Sequence, residues 1–362
     1  MCSPGGLLWV ADTVKPDFWL MGEVIHGDYS RRANESTLHS VTNYSLHKAL
    51  YSGHNDHNYF EIAHTIRYTG NMIRSAIRLY NFVVNHDVER IYTKLNNKAH
   101  YLPVHVLLYS LPGIPSVYYG SKFGIEGKKE RWSDDSLRPC IHLEDHKKDY
   151  KDNPCTALIA ALGEIRRDYS DMLAYGDYRE LALTNRQFAF GRGVLVAAVN
   201  NDDSPADLHL SVKDGTYTGL LSGTKVTASG GTLHITLPAC GGEIYVPAAE
   251  GAARKTEGRK KKPVSAAAFA PAKPEPEKPQ PQEKTEPKAE TKTNAAKPKA
   301  EKKPAGSVEI PDIPYSEMTV EQLQAVILAK MAGNGPVTDQ MRKDVEDNIW
   351  HNSLVNWANS FH

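Results

Sequence analysis

Two short apolar runs that each stop in a carboxylate set the terms on which this chain can fold. The first is Trp19-Leu20-Met21-Gly22-Glu23-Val24-Ile25-His26, bounded by Pro16 and Gly27; the second, Leu79-Tyr80-Asn81-Phe82-Val83-Val84, discharges into Asn85-His86-Asp87. An apolar run of this length between turn residues reads as a buried strand, and the residue where it stops sits at the strand's C-terminal end. Between the two, Ile62, Ile66, Tyr68 and Ile73 recur at helical spacing. In parallel α/β folds, chemistry collects at the C-terminal ends of the strands. As near neighbours in one parallel sheet, Glu23 and Asp87 would face the same rim and flank one substrate. Paired carboxylates whose surroundings separate their pKa values are the equipment for cleaving a glycosidic bond. Taken singly, each is equally an ordinary strand-end residue.

A third stretch joins them. Gly22-Glu23-Val24-Ile25-His26, Phe82-Val83-Val84-Asn85-His86-Asp87 and Gly113-Ile114-Pro115-Ser116-Val117-Tyr118-Tyr119-Gly120 resemble, in this order, late motifs of the glycoside hydrolase family 13 (α-amylase) barrel. The resemblance covers roughly residues 12–248, and an ordered set is far more specific than any single motif. It implies that Glu23 is the general acid/base on the fifth barrel strand and that Asp87, after the seventh, stabilises the transition state. His86, Asn85 and His26 would bind the sugar. No metal or other cofactor is expected.

The family's nucleophile is an Asp in an Arg-x-Asp context at the end of the fourth strand, and its first conserved Asp and Asn-His motif lie earlier still. A β-α-β unit takes roughly 30 residues or more, yet only 22 residues precede Glu23. The fourth strand does not fit. Asp12 lacks an Arg two positions before it and runs into the end of a helix, so it is rejected as the nucleophile. A complete barrel of this type takes about 250 residues, and the part before the next domain has at most 175. The expectation is a partial (β/α)8 TIM barrel, about strands five to eight, with two open sheet edges. Such a piece should be inactive alone, prone to self-association, or dependent on the other barrel half.

Several function classes are excluded by composition. Lys plus Arg equal Asp plus Glu at 43 each, which gives no case for nucleic acid as a general partner. No apolar run approaches the 18 or more residues of a membrane span, and the first residues lack a basic segment followed by an apolar one. A cytoplasmic product is expected. Cys2, Cys140, Cys155 and Cys240 show no Cys-x-x-Cys spacing and read as free thiols.

Along the chain, Leu38-His39-Ser40-Val41-Thr42-Asn43-Tyr44 reads as a strand, followed by a helix through Leu50. Ser52-Gly53-His54-Asn55-Asp56-His57-Asn58 then reads as a polar loop lining a sugar site; a metal held by His54, Asp56 and His57 is the alternative, weakened by how rarely ligands this close in a loop all converge. Residues 102–111 form an apolar buried helix that Pro112 and Gly113 stop, and residues 116–119 the last barrel strand. Trp132 either offers an aromatic face to sugar or packs under its loop. Residues 157–169 form the helix that closes the barrel.

From residue 178 the period changes from helical to two. Strands at 187–190, 194–199, 207–212, 232–237 and 243–246, separated by Asn-Asp, Asp-Gly and Gly-Gly turns, make an antiparallel β-sandwich. Residues 249–306 turn to Ala, Pro, Lys and Glu and cannot bury enough apolar surface to offset their ordering entropy, so they read as a disordered linker. Thr319-Val320-Glu321-Gln322 fits a capping box opening a helix, and Met341, Val345, Ile349, Trp350, Leu354 and Trp357 stripe a second one. The domains are therefore 1–175 (partial barrel), 176–248 (sandwich), 249–306 (linker) and 307–362 (helical hairpin for docking). The function expected is retaining hydrolysis of α-1,4-linked glucans or maltodextrins. A noncatalytic glucan-binding scaffold is the alternative.

Overall fold

A computed structural model describes residues 4–73, 77–248, 266–269, 314–315, 318–334 and 345. After helix α1 (Pro4–Val14), strand β1 (Met21–Gly22) pairs in parallel with β2 (Ser40–Val41). Helices α2 (Tyr44–Asn55) and α3 (Tyr59–Met72) then lead to β3 (Tyr80–Phe82). The short α4 (Ile91–Lys94) and α5 (Tyr101–Ser110) lead on to β4 (Ile114–Ser116), which lies parallel to β3. A parallel bridge between Thr42 and Tyr80, with Asn43 N donating to Tyr80 O at 2.9 Å, joins the two pairs in the order β1-β2-β3-β4. All four strands therefore run the same way, and the three whose ends carry the sequence motifs, β1, β3 and β4, point to one rim.

The strands are shorter than the apolar runs that announce them. The last one falls at Ile114–Ser116 rather than 116–119, because Pro115 is tolerated where it pairs with β3 on one side only, whereas Tyr118 and Tyr119 turn away to stack on Arg90. Helix α2 starts where Asn43 Oδ1 accepts from Leu46 N at 3.1 Å. The same Asn43 amide donates to Asn81 Oδ1 at 3.0 Å, tying the helix start to β3. Gly113, at φ +127°, turns α5 into β4, and a Cβ there would overlap the Asn81 side chain.

Beyond β4 come α6 (Asp149–Asp152), α7 (Pro154–Asp168) and α8 (Ser170–Tyr175). Asn153 caps α7 and Pro154 occupies its first position. Eight antiparallel strands follow: β5 (Tyr178–Leu183), β6 (Gln187–Arg192), β7 (Leu195–Asn200), β8 (Ala206–Ser211), β9 (Gly215–Gly219), β10 (Lys225–Ala228), β11 (Thr232–Leu237) and β12 (Gly242–Pro247). Six form one sheet in the order β10-β9-β12-β7-β6-β5, and β8 pairs with β11 separately. Strands β5, β9 and β10 were not legible in the sequence; β9, Gly-Thr-Tyr-Thr-Gly, buries only Tyr217 and Gly219 and has no apolar alternation.

Every residue of β7 is buried. Leu208, Leu210, Leu233 and Ile235 of the two-stranded sheet cover one face, and α5 covers the other. Because α5 lies between β3/β4 and this sheet, all ten of its residues are buried. Residues 1–277 consequently form one compact unit.

Glu243 is an acid at the centre of this packing, 5% exposed. Its Oε1 accepts from Leu221 N and Ile244 N at 2.8 Å each and its Oε2 from Ser222 N at 2.9 Å, so the carboxylate closes the turn after β9. Burial nevertheless holds its pKa above the usual carboxylate range. Glu243→Ala leaves the buried donors Leu221 N and Ile244 N unmet, together with the half-buried Ser222 N, and we expect a loss of about 3 kcal/mol in urea denaturation at pH 7; an unchanged midpoint would remove this role.

Within the segment expected to be disordered, Ala266–Phe269 forms a 3-10 turn, with Phe269 stacked on Tyr101 at 5.6 Å. The rest of 249–306 lies outside the described residues. In the second unit, residues 278–362, α9 (Val320–Asn334) opens on the capping box: Thr319 N donates to Gln322 Oε1 at 2.8 Å and Gln322 N to Thr319 Oγ1 at 3.3 Å. Leu323, Val326, Ile327, Met318 and Val345 form its apolar cluster. Apart from Val345, the expected helix from Met341 onward lies outside the described residues. Among the described residues no helix is long and apolar enough to cross a membrane.

Candidate active site

Glu23 follows β1 by one residue and is exposed on the rim. Tyr44, the first residue of α2, donates its hydroxyl hydrogen to Glu23 Oε1 at 2.8 Å and accepts from Asn85 Nδ2 at 2.8 Å. Its ring is held edge-on against Phe82 of β3, 4.9 Å between centroids. Burial, and then the Glu23 and Asp87 carboxylates acting against the Asn85 hydrogen bond, push the Tyr44 hydroxyl up to about 12. Tyr44 therefore keeps its proton at neutral pH and serves Glu23 as a donor.

On the neighbouring strand, β3 continues through buried Val83 and Val84 into Asn85. Asn85 Oδ1 accepts from Asp87 N at 2.9 Å and from Val88 N at 3.2 Å, an Asx turn that fixes where Asp87 stands. Asp87 Oδ1 accepts from Arg138 Nη2 at 2.8 Å, and Oδ2 lies 3.4 Å from His86 Nε2. Arg138 also reaches His86 O at 3.0 Å, and Lys129 Nζ reaches Asp87 O at 2.8 Å. Arg90, 1% exposed, secures this loop by donating to Tyr119 O and, at 2.6 Å, to Leu137 O, the residue before Arg138.

Of the residues expected from sequence, Glu23, Asn85, His86 and Asp87 thus lie on one rim, with Glu23 and Asn85 joined through Tyr44. His26 lies in the wall of an adjacent concavity of about 550 Å³ that Tyr44 shares with His47, Tyr51 and Tyr68. Tyr44, Arg90 and Arg138 escaped the sequence reading. Tyr44 carries the weak signal of following a strand end directly; Arg138 carries none, since it comes from a loop 51 residues beyond Asp87. Trp132 is 86% exposed with the Arg131 guanidinium 5.0 Å above its ring, so it does not pack under its loop. Asp12 lies exposed on α1.

The stretch at residues 52–58 is not a sugar-lining loop. Its first four residues are the last turn of α2, a helix whose twelve residues carry its end about 16 Å from Tyr44. His54 is fully buried there, with Nδ1 2.6 Å from Leu50 O and Nε2 3.2 Å from the Tyr59 hydroxyl, so neither nitrogen is left for a metal. His57 turns to Asn201 at 3.4 Å, whereas Asp56 is exposed. Among the described residues no group of three or more His, Cys, Asp or Glu is placed to hold a metal ion.

Residues 8–168 match the family model for the α-amylase catalytic domain. The chain is 24% identical over 230 residues to a cyclomaltodextrin glucanotransferase of Bacillus licheniformis, covering 59% of this chain and 30% of that protein. It is 25% identical over 235 residues to a cyclomaltodextrinase of Thermoanaerobacter pseudethanolicus, covering 62% and 39%. An α-amylase of Saccharomycopsis fibuligera is 26% identical over 252 residues, covering 64% and 49%. The chain therefore spans less than half the length of these curated relatives. Among solved structures, an Anoxybacillus α-amylase superposes with TM-score 0.59 at 24% identity, covering 67% of this chain and 55% of that one. An α-amylase from Malbranchea cinnamomea does so with TM-score 0.58 at 19% identity, covering 66% and 52%. The fold they share is the amylase-type barrel.

Proposed function

We propose, from the premise that this chain belongs to the α-amylase family of glycoside hydrolases through residues 8–168, that it supplies the acid/base half of an enzyme that hydrolyses α-1,4-linked glucans or maltodextrins with retention of configuration. The observation that carries the reading is the Glu23–Tyr44–Asn85 chain of hydrogen bonds, with Asp87 held beside it by the Asn85 turn. Tyr44 occupies Glu23 Oε1 as a donor, which orients the carboxyl and leaves Oε2 to protonate the departing glycosidic oxygen. After the sugar is transferred to a nucleophile, the same oxygen takes a proton from water as it attacks the anomeric carbon. Asp87 binds ring hydroxyls as positive charge develops, with Arg138 holding its carboxylate in place at 2.8 Å; His86, Asn85 and His26 bind the sugar.

The nucleophile has to come from outside the four parallel strands described. Among the described residues β1 pairs only with β2 and β4 only with β3, and Trp9, Val14, Phe18, Trp19 and Ile25, in the segments before and after β1, are exposed. Open strand edges of this kind are suited to further strands. This chain works when the other half of the barrel is supplied, and alone it turns nothing over.

Maltodextrin hydrolysis by the purified chain, with and without a co-expressed polypeptide carrying the first four strands of a related barrel, tests this. Activity on complementation only is the expected result. Turnover by the chain alone would refute the need for a second half; none in either arm would replace the enzyme with a noncatalytic glucan-binding scaffold.

A further inference from the structure

The concavity beside the rim, of about 550 Å³, is walled by α2 and α3, which pack on each other, and by residues that follow β1 and β3. Its charged groups are Lys48, Lys94 and Glu61. Glu61 is spent within the wall: Lys48 takes its Oε1, and its Oε2 accepts from Ser52 Oγ at 2.8 Å. That pair cancels and leaves the Lys94 ammonium as the unbalanced charge. His47 stays neutral beside it, since burial first and then the Lys94 charge push its pKa down to about 3.

Lys94 ends α4, half-buried, and among the described residues it has no ion-pair partner. What its ammonium touches is the face of Tyr51, with Nζ 4.0 Å from the ring centroid, and the nitrogen itself remains accessible. A ring face attracts the cation but does not replace the oxygen acceptors that its three N–H groups have in water. Burial pulls the Lys94 pKa below the ordinary lysine range, and the Glu89 carboxylate, too far off for an ion pair, offsets only part of this. A half-buried cation placed in this way gains from any anion that reaches it. His26 and His64 line the same cavity, and each brings at least one ring N–H.

The geometry points to a site for a sugar phosphate, its phosphate monoester on the Lys94 ammonium and its pyranose ring along Tyr68 and Ile25. Those two are 56% and 49% exposed at the cavity wall and offer the apolar surface that a sugar's C–H face covers. A phosphate monoester carries close to two negative charges at pH 7 and three acceptor oxygens, so it suits an ammonium and imidazole N–H groups in one wall. The volume lies inside the roughly 300–1,000 Å³ range of small-molecule sites. The sugar half of the assignment rests on the glucan reading of the rim, with which the cavity shares Tyr44 and His26; the anion half does not. The monoester stands either on a free hexose or on a glucose unit of a glucan, and the test separates the two.

Glucose 6-phosphate, glucose, inorganic phosphate and 6-phosphorylated maltotriose are titrated by calorimetry into the full chain without any complementing half, so that no result depends on turnover. Saturable one-to-one binding of glucose 6-phosphate, about tenfold tighter than glucose or inorganic phosphate and weakened by salt, is expected. Tighter binding of the phosphorylated maltotriose assigns the phosphate to a glucan; weaker binding assigns it to a free hexose. Lys94→Met keeps an apolar stem over Tyr51 and removes the charge. It should reduce glucose 6-phosphate to the affinity of glucose without lowering the Tm, because no ion pair is lost, and Lys94→Arg should restore part of the preference. Equal binding of glucose 6-phosphate and glucose, no saturable binding, or an undiminished preference in Lys94→Met would overturn the anion site. Inorganic phosphate binding as tightly as the sugar phosphate would overturn its sugar half. Failure of hydrolysis in the complementation assay with this preference intact would strike the glucan source and leave the hexose phosphate.

Discussion

Glu23→Gln in the complemented enzyme lowers kcat for maltodextrin by about a hundredfold to ten thousandfold, the range that a positioned general acid/base supplies. The glutamine side chain has the size of the one it replaces, and its carbonyl oxygen still accepts from Tyr44, so the Glu23–Tyr44–Asn85 arrangement and sugar binding persist and KM changes little. What is lost is the proton. A maltoside with an activated aryl leaving group needs no proton to depart, so its release step should be nearly normal, visible as a burst of aryl alcohol before slow turnover. An equally deep defect on both substrates would mean that Glu23 acts by holding the site together. Tyr44→Phe should cost much less, because it removes an orienting donor and leaves the acid in place.

The second large effect is on stability in acid. His47, His54 and His105 are at most 4% exposed. Burial is the first cause in each case, pushing the imidazoles down to about 3, 3 and 4. In the unfolded chain they titrate near 6.5. Below that pH the unfolded state takes up three protons that the native state refuses, so the stability these groups allow is complete above about pH 6.5 and is lost as the pH falls toward 4. Each contributes a slope of about 1.4 kcal/mol per pH unit, roughly 4 for the three. Glu243 acts in the opposite direction, but with a single proton. Against a total stability of about 5–15 kcal/mol, acid unfolding should begin near pH 5. Urea midpoints at pH 7, 6 and 5 test this, together with His105→Leu, which removes a buried ring whose Nε2 has no partner. The variant should flatten the slope by about a third; identical midpoints at pH 7 and 5 would sink the argument.

Much of the candidate site was legible because its carboxylates are local features. Glu23 and Asp87 stand where apolar runs stop, and the Asn85 turn that aims Asp87 is made by neighbours in sequence. The capping box at Thr319 and the alternation in β11 are local in the same way. His54 and Asp56 misled for the converse reason: polar residues beside a helix end look like a loop until the helix is seen to run on to Asn55 and the histidine to turn inward to Tyr59.

The sequence by itself determined most of the strands, though not β5, β9 and β10, which strand ends carry the candidate carboxylates, and that helix α5 must be buried, since apolar periodicity records how many faces of an element avoid water. Only the tertiary structure decided what covers those faces and what stands opposite each charge. That α5 is shared between the parallel strands and the antiparallel sheet, that Arg138 pairs with Asp87, that Tyr44 meets Glu23 and that Lys94 lies over Tyr51 are all contacts between residues far apart in the chain. The partner in each case is set by how the elements pack, and spacing along the chain carries no record of it.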